Sequence, residues 1–532
     1  MRTYLRKRLH ATRKGAALTC LLLGTIQHSW ATDSIAKRVD DMRRRDNIDI
    51  VVHGKLKDRQ GALLDVKHAP TEPSVPAFVP SINGVGGIPS TPSSSQSLGT
   101  QPYLFSLHNQ AMTAAGKWME RQGIYFTGWN VSQVGVVPSG GTNAGSFFNN
   151  NVGIGADFDL KKIIGIPGAQ IHFFALDTSG EAHAGEFTGS TWGYLSWLGA
   201  HDGFQVREFS WDQALFRDRL YILAGRGNPK GGEFEGSELY CMFSAILCSA
   251  PAAMSANSAV PSTTISTWEF RILVKPTAHS YLKGGIWEVE PSLKASNHNS
   301  WPGPDWGFDR AQGEYFPVEG GYRTNFSNDL YPRAYDLGFT YDTSVYSDPL
   351  YNTKGLARAT YGGTAQPRRG RTQLYVQAQQ MVWKPQEKGT RGLILFGAAN
   401  FQLSGNPPVK RGFVGGLVDW GPFASRPRDY LGIAVQAFQW DDRLIRAMND
   451  TYRKQHSRQK WAHFETMLEV NYGFNIAPGF VVAPYFEYIW HPDLLSYSTL
   501  PSHTEFALQT GVSLLMQFAP AFDLPALHRV RN

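Results

Sequence analysis

Near its C-terminus the chain alternates apolar and polar residues for ten positions or more, and this feature restricts the folds that it can adopt. Over residues 465–474 one face is mostly apolar, and the opposite face carries Glu465 and Glu469. Residues 480–490 and 505–518 repeat the pattern. A period of two predicts β-strands. Strands of soluble proteins usually have about five or six residues, whereas a strand that crosses a bilayer needs about ten.

The two faces of these segments differ in the way that a membrane barrel requires. One face is apolar, with aromatic residues such as Tyr488 and Trp490 near the strand ends, and the other carries charges and amides. Hydrocarbon accepts neither bare backbone nor charge cheaply, whereas a wet interior accepts both. The sequence therefore predicts an all-β fold, a transmembrane antiparallel β-barrel. A soluble β-sandwich or propeller with long strands is the alternative that the pattern leaves open.

The barrel is expected to occupy residues 101–518. This region keeps the same rhythm of short alternating segments and turns, and it has room for about 16 to 20 strands with their connections. The 54 Gly and the 13% aromatic residues of the chain suit many strands joined by tight turns.

The first hundred residues have a different character. Residues 1–31 combine a basic stretch, an apolar stretch and the small-x-small site Ser29-Trp30-Ala31, which predicts a secretory signal peptide. Residues 32–100 form an N-terminal extension whose second half is a Pro-, Ser- and Gly-rich linker, so we expect it to be mostly disordered. A C-terminal tail, residues 519–532, follows the barrel.

The charge of the chain argues against nucleic-acid binding. The sequence has 51 Lys+Arg and 44 Asp+Glu, and six of the basic residues lie in the predicted signal peptide, which leaves 45 against 44. A nearly neutral mature chain lacks the basic surface that nucleic acid requires. Beyond residue 31 there is no run of 18 apolar residues, which excludes a helical membrane protein.

The cysteines are consistent with export. Cys20 lies in the predicted signal peptide, which leaves Cys241 and Cys248 in the mature chain. Export implies an oxidising compartment, so we expect these two residues to form a disulfide. Two buried free thiols are the alternative. No His pair lies near enough in sequence to complete a zinc site, so no metal is expected.

No enzyme motif is present. The sequence lacks the HExxH, GxSxG and GxxxxGK[ST] patterns, and no cofactor is expected. Glu469 and Glu487 could nevertheless imitate the carboxylate pair of a glycosidase. A soluble exported carbohydrate-binding or glycoside-hydrolysing β-protein therefore remains an alternative function.

Several stretches, taken in order, resemble a known family. They include GEFEGSELYCMFSAILCSAPAA, YLKGGIWEVEP, RGLILFGAANF and ETMLEVNYGFNIAPGFVVAPYFEYIWHP. This ordered set resembles the OprB family of carbohydrate-selective outer-membrane porins. The resemblance implies a barrel of about 16 strands in the outer membrane of a Gram-negative cell, which passes monosaccharides such as glucose by diffusion. It also implies that the Cys241–Cys248 loop is extracellular.

The chain departs from this family at both ends. Members usually end at the aromatic residue of the last strand, whereas here Phe518 is followed by 14 further residues, Ala519 to Asn532. The extension before residue 101 is also longer than a bare porin needs.

A channel for sugars needs side chains that exchange hydrogen bonds with hydroxyl groups without binding them tightly. Charged, amide and aromatic residues on the wet face of the predicted strands meet this need. The lumen-facing candidates are Asp157, Asp159, Glu208, Asp212, Arg226, Glu288, Glu319, Gln377, Gln379, Glu469, Tyr485 and Glu487. The expected partners are sugars, outer-membrane lipid and the barrel-assembly machinery, and association into a homo-oligomer is left open.

Overall fold

The computed structural model describes residues 103–526 apart from 182–183, 192–202, 230–233, 235, 244–252, 254–255, 261–264, 292, 294–305, 388 and 496–503. The predicted signal peptide and extension lie outside the described residues, as does the end of the predicted tail. Their boundaries remain predictions.

The described residues contain sixteen strands that form one closed barrel, in which each strand is antiparallel to its neighbours and β1 pairs with β16. The strands are β1 (Ile124–Gly140), β2 (Gly145–Asp159), β3 (Ala169–Gly180), β4 (Gly203–Leu215), β5 (Leu220–Gly227), β6 (Thr267–Val274), β7 (Ser280–Val289), β8 (Gly313–Arg323), β9 (Arg333–Asn352), β10 (Ala365–Trp383), β11 (Gly392–Ser404), β12 (Val409–Trp420), β13 (Tyr430–Trp440), β14 (Phe464–Ala477), β15 (Phe480–Trp490) and β16 (Phe506–Gln517). Closure leaves no sheet edge without backbone partners, which is the condition for a sheet in hydrocarbon. The predicted fold class is confirmed.

The alternation in sequence becomes an inside and an outside in the barrel. Along β15 the side chains of Tyr485 and Glu487 are buried, whereas those of Phe486 and Trp490 are exposed. Exposed apolar residues such as Leu337 continue this outer face around the wall. Near the bilayer midplane a Lys or Arg on that face would cost about 2–4 kcal/mol and an acid less, which favours an inward position for charges there.

The two ends of the barrel differ. At one end the connections are short turns, and the turn between β14 and β15 ends in Gly479, whose φ of +64° suits glycine. At the other end the connections are long, with residues 228–266 between β5 and β6 and residues 441–463 between β13 and β14. Barrels of the outer membrane have short periplasmic turns and long extracellular loops, which assigns the two ends.

Among the described residues, six short α-helices accompany the strands, together with a 3-10 helix at Glu238–Met242. The α-helices are α1 (Gln110–Arg121), α2 (Leu160–Ile164), α3 (Ala184–Thr188), α4 (Arg358–Tyr361), α5 (Asp442–Lys454) and α6 (Phe518–Phe522). None of the helices in the described parts of the chain has the length and apolar character needed to cross a bilayer.

The residues after β16 pack back onto the start of the barrel. Helix α6 begins at Phe518, and the following Asp523 accepts a hydrogen bond from the Thr113 hydroxyl of α1 at 2.7 Å. The backbone N–H of Phe126 donates to the carbonyl of Pro525 at 2.8 Å. The chain beyond the last strand therefore ties α1 and β1 to β16 at the periplasmic rim.

Candidate functional site in the barrel interior

The connection between β5 and β6 enters the barrel instead of remaining above it. We call residues 236–243 the inner segment. The Ser237 hydroxyl donates to the side-chain oxygen of Gln379 on β10 at 2.5 Å. The Asn471 amide on β14 donates to the carbonyl of Met242 at 3.0 Å. Around the closed sheet β5 is five strands from β10 and, by the shorter way, seven strands from β14, so a chain that leaves β5 and bonds to both must cross the interior.

Apolar contacts hold the inner segment in place. Tyr240 and Phe243 contact Phe396 of β11, with ring centroids 5.8 and 5.6 Å apart respectively. Both residues are almost completely buried. Phe243 also lies against Gly432 of β13, where an added Cβ would come within 3.0 Å of its ring. The apolar run from Leu239 to Phe243 is a hint of this arrangement in the sequence, since it would be costly to expose in a loop.

A later part of the same connection bonds to the wall at another point. The Asn257 side chain donates to the carbonyl of Val409 at 2.6 Å and accepts from its backbone N–H at 2.9 Å. Ala253 lies beside Gly412, a position where any side chain would collide with it. The connection thus narrows the interior along β10 to β14.

The predicted disulfide can be followed from one side only. Cys241 lies in the inner segment, is buried and is disulfide-bonded. Cys248 lies outside the described residues, so the pairing remains a prediction. Cys241 lies inside the barrel, whereas the family resemblance implied an extracellular position for its loop. The apolar neighbours of Cys241 explain this difference, because they bury against β11 and β13.

The wall of β7 to β10 carries acids that are paired with basic and phenolic groups. Glu319 accepts from the hydroxyl groups of Tyr281 at 2.6 Å and Tyr375 at 2.5 Å, and it forms an ion pair with Lys283 at 2.9 Å. The Gln377 amide donates to Asp336 at 2.8 Å. Glu319 and Gln377, both expected in the lumen, therefore belong to one hydrogen-bonded network. Tyr281 and Asp336 belong to it too, and the sequence did not single them out.

A second group lies across β2, β3 and β4. His172 places Nδ1 at 2.8 Å from Asp157 and Nε2 at 2.9 Å from Asp212. Each ring nitrogen thus meets a carboxylate oxygen, and His172 joins an acid of β2 to an acid of β4. Glu208 is buried on the same wall and accepts from the Ser210 hydroxyl at 3.0 Å. The sequence analysis named the three acids as candidates but not the histidine that joins two of them.

A third group lies on β14, β15 and β16. Glu469 and Glu487 are cross-strand partners, and Gln509 is the partner of Glu487 on the other side. Tyr485 is two residues from Glu487 on the same face and accepts a hydrogen bond from the Gln509 amide at 3.2 Å. All four side chains are buried on the inner face.

The remaining candidates lie elsewhere, and two of them require a correction. Asp159 ends β2 at the periplasmic side and caps α2 through the N–H of Lys161 at 2.9 Å. Arg226 and Glu288 do not face the lumen. Arg226 is the strand partner of the exposed Phe209, and Glu288 accepts weakly from the backbone of the outward-facing Trp268 at 3.3 Å.

Both residues lie on the outer face at the extracellular rim. The Arg226 guanidinium lies 5.5 Å from the ring of Trp268 and 5.1 Å from that of Trp306. At this height a charge can face outward, because aromatic rings of the rim cover the guanidinium. The charge of a residue therefore does not identify the inner face of the barrel at the ends of strands.

The described residues contain no cluster of three or more His, Cys, Asp or Glu side chains arranged to hold a metal ion.

Comparison with known proteins identifies similar chains. Residues 148–511 match the family described as carbohydrate-selective porin, OprB family. Porin B of Pseudomonas aeruginosa is 24% identical over 360 residues, which cover 65% of this chain and 77% of that protein. The putative porin QuiX of Acinetobacter baylyi is 22% identical over 395 residues, or 70% of this chain and 86% of that protein.

A solved structure has a similar fold. The high-pH structure of OprB from Pseudomonas putida superimposes with a TM-score of 0.67 at 21% identity and covers 76% of this chain and 96% of that one. At this level of identity the similarity concerns the fold.

Proposed function

The chain belongs to the OprB family of carbohydrate-selective porins of the Gram-negative outer membrane, and we propose that it lets monosaccharides such as glucose cross that membrane by passive diffusion. The observation that carries the proposal is the inner segment, which crosses a barrel lined with amides, carboxylates and phenolic groups. A narrowed polar passage favours small neutral solutes that can exchange water hydrogen bonds for side-chain hydrogen bonds.

The lining supports exchange more than tight binding. Glu319, Asp336 and Gln377 already bond to one another or to neighbouring tyrosines. A sugar hydroxyl would therefore compete with existing partners, and each contact would contribute little net free energy. Weak contacts along the path allow a solute to enter and also to leave.

The alternative of a soluble protein or hydrolase has less support. The named relatives are porins and not enzymes. Outward-facing residues such as Val134, Ile154 and Leu337 would expose a continuous apolar surface to water if the protein were soluble. We propose instead that outer-membrane lipid covers this surface.

The experiment that tests the proposal is single-channel recording of the refolded protein in a planar bilayer. Discrete conductance steps that fall as glucose is added, and fall less with a larger oligosaccharide, are expected. Refolded protein that produces no steps, or steps that no sugar affects, would contradict it.

A further inference from the structure

Two glutamates face each other on the inner wall. Glu469 of β14 and Glu487 of β15 are direct cross-strand partners, and the structure leaves neither side chain accessible. Cross-strand partners have Cβ atoms about 4.5–5.5 Å apart, so the two carboxylates are close neighbours. Two negative charges at this distance in a buried site repel each other strongly.

In the described part of the chain, no group balances the charge of Glu487. Among the described residues, neither of its carboxylate oxygens has a hydrogen-bond partner, and the side-chain oxygen of its other neighbour, Gln509, has none either. A buried carboxylate without a donor or counter-charge is costly, and a bound ion is one way to remove that cost.

The surrounding wall cannot supply a counter-charge. The six adjacent strands β13, β14, β15, β16, β1 and β2 contain no Lys or Arg in their sequences. The buried basic residues of the described wall lie on other strands, with Arg207 on β4 and Arg271 on β6. Farther round, Lys283, Arg323 and Arg371 pair with acids of their own. The interior is therefore polarised across its width, and Glu487 lies on its acidic side.

We infer that Glu469, Glu487 and the side-chain oxygen of Gln509 form a binding site for a divalent cation with the chemistry of Ca²⁺. Carboxylate and amide oxygens are the ligands that this ion takes, and water completes its shell of six to eight oxygens. Only two acidic residues take part, so the site is of low affinity. The inference concerns ions, and it does not depend on which sugar passes.

Terbium luminescence tests the site on the folded, full-length mature barrel. Tb³⁺ replaces Ca²⁺ at oxygen sites and emits when a nearby tyrosine absorbs, and Tyr485 lies two residues from Glu487 on the same face. We expect saturable emission that Ca²⁺ reverses. Glu487→Gln keeps the shape and removes one charge, and it should weaken Tb³⁺ binding at least 10-fold.

Glu288→Gln is the matched control, because Glu288 is an acid on the outer face at the rim. This variant should bind Tb³⁺ like the wild type. If Glu487→Gln fails to fold, as judged by heat-modifiable gel mobility, Glu469→Gln replaces it with the same expectation. Equal binding by the wild type and a folded inner-wall variant would overturn the inference, and so would the absence of saturable binding by the wild type at pH 7.

A conductance measurement separates this result from the transport proposal. In the same bilayer, millimolar Ca²⁺ should lower the K⁺ conductance of the wild type and of Glu288→Gln, but not that of Glu487→Gln. Block that persists in Glu487→Gln would overturn the inference even if glucose transport is normal. Conversely, Tb³⁺ binding that depends on Glu487 would stand even if no sugar passes.

Discussion

The Tyr240 hydroxyl of the inner segment donates a hydrogen bond to the side-chain oxygen of Gln377 on β10, across 3.2 Å and 137 positions of sequence. The Gln377 amide in turn donates to the carbonyl of Gly236 at 3.2 Å. This reciprocal contact joins the loop to the wall, so the width of the passage depends on how firmly the inner segment is held.

The contact at Gly432 gives a direct way to displace the inner segment. Gly432→Val would place a side chain within 3.0 Å of the Phe243 ring and 2.6 Å of the Asn471 side-chain oxygen. We expect the segment to move and the single-channel conductance to rise about two-fold or more, with weaker discrimination between glucose and larger sugars. Gly320→Val is the control, since a side chain there would meet nothing closer than 3.7 Å. Unchanged conductance in folded Gly432→Val would mean that the inner segment does not limit flow.

The polarised interior should make the pore prefer cations. Glu487→Gln removes a charge from the wall that lacks basic residues but keeps the side-chain volume. We expect the reversal potential in a KCl gradient to shift toward zero, while glucose flux changes less than two-fold. Glu288→Gln, on the outer rim, should shift neither. An equal shift in both variants would contradict the proposed position of the acidic side.

The disulfide at Cys241 should matter more for the pore than for the barrel. The inner segment is no part of the wall, so opening a short loop should cost the folded barrel little. We expect Cys241→Ser to keep the thermal unfolding temperature within a few degrees and to make the single-channel current noisier. Mass spectrometry of non-reduced peptides should identify Cys248 as the partner. Two alkylatable thiols in the oxidised native protein would contradict this pairing.

Lys275 should make stability depend on pH. It lies in the turn between β6 and β7, and burial lowers its pKa to about 8, an effect that Arg323 reinforces and Asp218 opposes. The folded state loses this proton near pH 8 and the unfolded state near pH 10.4, so the free energy of unfolding should rise between these values.

Below pH 8 both states are protonated, and the folded state bears the cost of the buried cation. Lys275→Met should therefore stabilise the barrel at pH 7, by on the order of 1 kcal/mol after allowing for solvent screening, and should abolish the rise above pH 8. Urea unfolding in lipid vesicles from pH 7 to 10 measures both effects. The exposed Lys354 of an extracellular loop is the control, and Lys354→Met should leave the profile unchanged.

Residues 32–100 should be dispensable for the channel, since their composition cannot supply membrane-spanning strands. Deleting them while the signal peptide is kept should leave conductance and sugar flux largely intact. A lost or unfolded barrel would show that the extension takes part in assembly or in the pore.

The sequence predicted the fold because its main determinant is local. A period of two that persists for ten residues identifies strands that span a bilayer, and it assigned Glu319, Gln377, Glu469 and Glu487 to the side on which the structure places them. It failed at Arg226, which shares a face with Ile222 and Ala224. The alternation of β5 places Arg226 on the outer face, although its charge alone suggests the lumen.

The narrowing of the pore could not be predicted from local pattern. The contacts of the inner segment join Tyr240 to Gln377 and Met242 to Asn471, over 137 and 229 positions. The local period of a sequence contains no information about contacts between residues so far apart in the chain. Nor does alternation reveal that His172 lies between Asp157 and Asp212, because the distance between strands depends on register and not on composition.

Liposome swelling tests the central claim most directly, because it reports the movement of uncharged solutes through the refolded protein. Vesicles that contain the protein should swell rapidly in iso-osmotic glucose, slowly in a trisaccharide, and no faster than empty vesicles in a large dextran. Equal rates for glucose and trisaccharide would contradict the proposed selectivity. Swelling in glucose no faster than that of empty vesicles would contradict the assignment as a sugar channel.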